Sequence, residues 1–168
     1  MSYDIIGDIH GHALTLEAML KELGYSLRDG AYRHSDRQVI FLGDLIDRGE
    51  YQAQTLHIVR KMVNAGQAIV VMGNHEFNAL AYATEGESGE YLRPHSDKNY
   101  NQHKAFLNEY QFDSPEYRDV IDWFGNLPLW LDLGAFRVIH ACWDKHLVAK
   151  VTQKYGGAKL TKALLTEA

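Results

Sequence analysis

The stretch QVIFLGDLIDRG, Gln38 to Gly49, decides how the chain folds. Its first half is an unbroken apolar run, shorter than an ordinary helix and too uniformly apolar for a strand with one wet face. At Gly43 it breaks into a polar loop that carries Asp44, Asp47 and Arg48. A strand buried on both faces and ending in a polar loop is the building unit of a parallel sheet covered by helices.

Three further runs have the same character: YDIIG (Tyr3 to Gly7), AIVVMG (Ala68 to Gly73) and FRVIHA (Phe136 to Ala141). Between the first two strands, Leu16, Met19, Leu20 and Leu23 recur at helical spacing before Gly24. After the second, Leu56, Val59, Met62 and Val63 do the same before Gly66. Strand–helix–strand–helix–strand predicts an α/β fold with crossover connections. From Tyr82 to Asn101 the periodicity disappears, which predicts a long loop. Ser114-Pro115-Glu116 has the form of a capped helix start running to Phe124, and LWLDLGAFRVIHA predicts two strands hinged near Gly134. No repeat, low-complexity tract or linker interrupts the chain, so a single domain over residues 1–168 is expected.

Composition sets outer bounds. The 168 residues are 46% hydrophobic and 23% charged, the balance of a globular protein with a real core. A formal charge of −5 disfavours nucleic acid as a bulk partner, because phosphate backbones attract basic surfaces. With Cys142 as the single cysteine no internal disulfide can form, and the cytoplasm is the default location. The N-terminus MSYDIIGD lacks the basic region and apolar run of a secretory signal, and no stretch approaches the ~20 apolar residues of a membrane span.

The chemistry lies where the runs end. The first leads into Asp8-Ile9-His10-Gly11, the second into Asp44 to Gly49, the third into Asn74-His75-Glu76, and His140 closes the fourth. Ligands of open α/β sheets bind outside the carboxyl ends of the strands, so parallel strands would gather these loops in one crevice. Aspartates at strand ends also serve as turn formers or helix caps. What argues for a metal is the recurrence of carboxylate, imidazole and amide at successive strand ends. That donor set suits manganese, iron or zinc, and a carboxylate such as Asp44 can bridge two cations.

In that order, GDIHG (Gly7 to Gly11), GDLIDRG (Gly43 to Gly49) and GNHE (Gly73 to Glu76) resemble the metallophosphatases of the calcineurin-like superfamily. The likeness is greatest to the branch of protein serine/threonine phosphatases and symmetrical diadenosine tetraphosphatases. It implies a layered α/β/β/α sandwich and two divalent or trivalent metal ions, manganese or iron first and zinc as the alternative. Asp8, His10 and Asp44 would hold one ion; Asp44, Asn74 and His140 would hold the other. His75 would protonate the leaving oxygen, oriented by Asp47, while Arg48 and Asn74 would contact the phosphate. The implied activity is hydrolysis of a phosphomonoester or phosphoprotein, with a dinucleoside polyphosphate as the alternative and a non-catalytic metal-binding module as the rival of another class.

The family pattern also carries a later Gly-His pair and a second arginine. After Asp144 the chain offers His146 but neither of these, so the resemblance implies a C-terminally incomplete chain with an incomplete second sheet. Leu160, Leu164 and Leu165 suggest a closing helix that seeks a partner. Glu76 reads equally well as a helix-start carboxylate. His12, His34, His57, His95, His103 and His146 have no motif around them and nearly all read as surface histidines, with His95 and His103 in or beside the polar loop, where they could reach the site; Cys142, Trp123 and Trp130 read as core residues.

Overall fold

A computed structural model describes residues 2–168. Its elements run β1 (Ser2–Ile6), α1 (Ala13–Glu22), β2 (Ser26–Arg28), β3 (Ala31–Arg33), β4 (Arg37–Phe41), α2 (Gln52–Asn64), β5 (Ala68–Val70) and α3 (Asn74–Ala83). There follow α4 (Asp97–Glu109), α5 (Pro115–Gly125), β6 (Trp130–Asp132), β7 (Arg137–Ile139), α6 (Lys145–Tyr155) and α7 (Lys162–Glu167).

The first three apolar runs form one parallel sheet in the order β1-β4-β5, with Ile5 opposite Ile40 and Ile40 opposite Ile69. Side chains alternate across it. Val39 and Phe41 of β4 enter the main core with Leu16 and Leu20 of α1, Leu56, Val59 and Met62 of α2, and Phe106 and Phe124 of α4 and α5. Full burial of each such side chain contributes ~1.5–3 kcal/mol. On the opposite face Ile40 and Val71 pack against Val138 of the antiparallel β6–β7 hairpin. The layers are therefore helices, parallel sheet and a second sheet of two strands. No residue of α6 is buried, and α7 joins the helix-side core through Leu165. Among the described residues no helix is long and apolar enough to cross a membrane.

Several expectations need correction. Residues 97–101 are not loop: α4 starts at Asp97, with Ser96 accepting a hydrogen bond from the Asn99 N–H. The sequence hides α4 because only His103 and Phe106 of its residues are buried, too few for an apolar stripe. The hairpin β2–β3 was also not foreseen; its strands are only three residues long. Met19 turns outward and is 41% exposed, because Ala13, Leu16 and Leu20 fill the inner face of α1. Double-sided burial holds for β4 but not for β1, where Ile5 is 58% exposed on the hairpin side of the sheet. Cys142 is exposed rather than core, since it lies beyond the end of β7. Trp123 and Trp130 are half-buried.

Candidate metal centre

Because β1, β4 and β5 are parallel, the loops after them leave the same edge of the sheet. They are sewn together by their backbones: the Ile9 and His10 N–H groups donate to the Asp44 carbonyl (3.0 and 2.9 Å), and the Gly11 N–H donates to Leu45 (2.8 Å). Gly43 and Gly73 are glycines because the second and third loops touch. A Cβ on Gly43 would lie 2.3 Å from the Gly73 nitrogen, and one on Gly73 would lie 2.3 Å from Asp44. Glu76, fully buried one turn into α3, closes this junction. It accepts from the Gly73 and Asp44 N–H groups on one oxygen (2.9 and 2.8 Å) and from Leu45 on the other (2.8 Å). Burial pushes its carboxyl up from the usual range, partly countered by the Leu45, Asp44 and Gly73 hydrogen bonds. His10, Asp44, Asp47 and Arg48 are non-glycine residues in the left-handed region, at φ 48°, 51°, 70° and 71°. Backbone strain of this kind, of order ~1–3 kcal/mol per residue, concentrates at functional sites.

Around Asp44 the side chains present acceptors to one another. His10 Nδ1 donates to the Ile46 carbonyl (2.8 Å), so in the neutral ring Nε2 is a bare lone pair. That atom is buried without a partner, 3.8 Å from Asp8 Oδ2 and 3.8 Å from Asp44 Oδ2. His140 repeats the pattern: Nδ1 donates to the Leu42 carbonyl (2.7 Å), and Nε2 faces Asn74 Oδ1 at 3.0 Å and Asp44 Oδ2 at 3.6 Å. Asp44 Oδ1 is occupied by the His75 N–H (3.0 Å), which leaves Oδ2 at the centre. The bare His10 Nε2 beside two carboxylates is what a cation would satisfy, and the mixed oxygen and imidazole set suits a transition metal. One grouping joins His10, Asp44 and His75, another Asp8, Asp44 and His140, each with its ligand atoms within 4.8 Å of one another. Asp44 belongs to both. The two sides differ in exposure: His10 and Asp44 are buried, whereas Asp8 and Asn74 are open to solvent.

Beside the cluster stands an acid–base pair. His75 Nδ1 donates to Asp47 Oδ2 at 2.6 Å, and this bond raises the His75 pKa above its ordinary value although burial pulls the other way. Burial alone would raise the Asp47 carboxyl, but hydrogen bonds from His103 and His75 outweigh it and hold the group below the usual range. The second donor, His103 of α4, reaches Asp47 Oδ1 at 2.9 Å. His103 is 5% exposed, so reading it as a surface residue was wrong; its ring stacks on Phe106 at 4.9 Å between centroids. Gln52 is another buried support: it accepts from the Asp47 N–H (2.8 Å) and donates to the Gly49 carbonyl (2.6 Å).

All the residues expected at the site therefore meet. Asp8, His10, Asp44, His75 and His140 form the two groupings, Asn74 contacts His140, Asp47 holds His75, and exposed Arg48 lines a cavity with Asp47, Asn74 and His75. His146 lies outside both groupings, on α6. Glu76, Gln52 and His103 were missed. Only Glu76 had a local signal, its position three residues after Gly73 at a helix start.

The family model described as calcineurin-like phosphoesterase matches residues 1–160. The bis(5'-nucleosyl)-tetraphosphatase PrpE [asymmetrical] of Oceanobacillus iheyensis is 32% identical over 153 residues, covering 89% of this chain and 60% of that protein. The protein of the same name from Bacillus subtilis (strain 168) is 38% identical over 76 residues, covering 45% of this chain and 31% of that one. Among solved structures, a cold-active protein tyrosine phosphatase superposes with a TM-score of 0.62 at 17% identity, covering 99% of this chain and 52% of that one. A metallophosphoesterase from Sphaerobacter thermophilus gives 0.50 at 20% identity, covering 82% and 45%. The chain thus spans between about a third and three fifths of the length of these proteins. With the three strand-end loops meeting at Asp44 and the match running over residues 1–160, the chain belongs to the calcineurin-like phosphoesterase family.

Proposed function

We propose that the chain carries the metal-binding and general-acid machinery of a metal-dependent phosphoric ester hydrolase. The observation that carries this reading is the convergence of carboxylate and imidazole atoms on Asp44 Oδ2, with His10 Nε2 buried and unpartnered among them, beside a histidine whose pKa is raised. Asp8, His10 and Asp44 would hold one ion, and Asp44, Asn74 and His140 a second. Bound there, such ions would supply Lewis acidity toward phosphoryl oxygens and lower the pKa of water. Their identity is proposed as manganese or iron on the oxygen-rich donor set.

The chain's own residues supply the rest. His75 spends its Nδ1–H on Asp47, so Nε2 is the atom that carries a proton to the leaving oxygen. The Asp47 hydrogen bond shifts the His75 pKa upward, the direction that favours the protonated ring a general acid needs. Arg48, exposed on the cavity wall, offers a planar fork to phosphate oxygens.

Relatives named bis(5'-nucleosyl)-tetraphosphatases favour a nucleotide phosphoanhydride over a phosphoprotein as substrate, and their names specify asymmetrical rather than symmetrical cleavage. The test is manganese-dependent turnover of p-nitrophenyl phosphate and diadenosine tetraphosphate, with metal content measured alongside. Turnover of at least one substrate is expected, with His75→Ala lowering kcat by ~10²–10⁴-fold, the usual contribution of a positioned proton donor. Asp44→Asn should empty the site of metal. Absence of turnover together with unchanged metal content in Asp44→Asn would leave a module without this chemistry.

A further inference from the structure

The cavity that begins at His75 does not stop there. It has a volume of about 510 Å³ and extends along α3 and α4 past Asn78, Arg93 and Lys104. That is far more room than one phosphoryl group fills, and it falls within the ~300–1,000 Å³ typical of ligand pockets. We propose that this extension is a subsite for the phosphate chain of a polyphosphate substrate, beyond the phosphoryl group that is attacked. The inference rests on the hydrolase reading above and adds to it the residues that would hold the phosphate chain.

Charge is the first argument. In a chain of formal charge −5, this wall carries Arg48, Arg93 and Lys104. Its one carboxylate, Asp47, has both oxygens engaged by His75 and His103. Arg37, Arg60, Arg118 and Arg137 are each paired with an aspartate elsewhere on the molecule. Arg93 is anchored instead by two neutral amides, through Asn78 Oδ1 at 2.8 Å and Gln102 Oε1 at 2.7 Å. Those contacts aim the guanidinium without neutralising it. A guanidinium only donates, so both amides must turn their oxygens to it, leaving their NH₂ groups free as donors. The wall is thus cationic and donor-rich, which suits an oligoanion with acceptors on every side.

Order is the second argument. The segment bearing Arg93 is not a loose loop: Arg93 N–H donates to the Ala81 carbonyl (3.0 Å) and Leu92 N–H to Thr84 (2.9 Å). Two residues on, the His95 ring is sandwiched between Tyr82 and Tyr91, with centroids 3.8 and 4.0 Å away. A fixed cation needs no ordering when ligand arrives, which favours affinity. The wall is also poor in apolar side chains. Of the residues lining it only Ala105 is apolar, and its one aromatic ring besides His75 is the buried His103. A nucleobase or an apolar peptide side chain would find little to stack on, whereas a phosphate chain needs neither.

Calorimetry on the full chain, with manganese in fixed excess, would compare the affinities for tripolyphosphate and for orthophosphate. Tripolyphosphate is expected to bind at least about tenfold tighter, and Arg93→Gln and Lys104→Gln should each cut that ratio several-fold, as expected for single charge-assisted contacts. The double variant should bring it close to one. Lys104 is exposed and makes no hydrogen bond among the described residues, so Lys104→Gln decides the matter if Arg93→Gln disturbs folding. A wild-type ratio near one, or a ratio unmoved by Lys104→Gln and the double variant, overturns the subsite. Loss of the hydrolase reading is separately visible: p-nitrophenyl phosphate would not turn over, while the binding ratio would stand or fall by itself.

Discussion

Asp47 is a carboxylate with two jobs that share one charge. It is 3% exposed, sits in the left-handed region at φ 70°, and accepts from His75 on one oxygen and His103 on the other. Both donors stabilise the anion, and the anion in turn keeps a proton on His75 above the ordinary histidine value of 6.5. The protonated ring is the proposed working form, so activity should persist above that value and fall as pH rises through the raised pKa. Asp47→Asn preserves the size of the side chain but removes the charge. His75 then loses the anion that lifts its pKa, while burial, which lowers it, remains. The high-pH limb of kcat should move to lower pH, and kcat at neutral pH should drop ~10²-fold or more, in line with the loss of a general acid. pH–rate profiles of the two proteins on p-nitrophenyl phosphate measure both; a limb that stays in place would remove this pair from proton transfer.

At the scale of elements, the junction between the loop after β4 and the start of α3 hangs on Glu76. Its two oxygens accept three backbone N–H groups, from Gly73, Asp44 and Leu45. Glu76→Gln keeps the volume yet replaces one acceptor oxygen with a donor that must face a buried N–H. An unmet buried hydrogen bond is worth ~1–3 kcal/mol, and in a chain of this size each kcal/mol lowers the melting temperature by ~2–4 °C. Circular dichroism melts of the two proteins test this, and an unchanged melting temperature would mean that the junction holds without the charge. The same junction explains what the sequence could reveal. Asp8, Asp44 and Asn74 were legible because each follows an apolar run directly, so that finding the strand also finds the ligand. Glu76 showed locally only its place three residues after Gly73, since its other two partners, Asp44 and Leu45, lie in a loop more than thirty positions earlier. His103 offered only its place beside the polar loop: α4 buries two side chains and offers no periodicity that would point His103 inward.

For the molecule as a whole, the site is also a joint. Asp8, Asp44 and Asn74 come from the parallel sheet, but His140 follows β7 of the hairpin packed on the other face. That hairpin rests on a small cluster, Ile40 and Val71 against Val138, whereas the helix-side core draws on six helices. A cation held by Asp44, Asn74 and His140 would cross-link the two layers where apolar contact is thinnest. Binding to the folded state alone adds ~2.7 kcal/mol at a hundredfold excess of ligand over Kd, so manganese should raise the melting temperature by about 5–10 °C over a chelator-treated sample. Asp44→Asn should remove most of that rise, because Asp44 belongs to both groupings. His140→Ala should remove less, since Asp8, His10 and Asp44 stay in place. Hydrogen exchange locates the effect: amides of β6 and β7 should slow on adding manganese by more than those of α5, which lies on the helix side and neither carries nor adjoins in sequence a proposed ligand. Equal slowing in both regions, or identical melts with and without metal, would mean that the hairpin docks independently of the centre beside it.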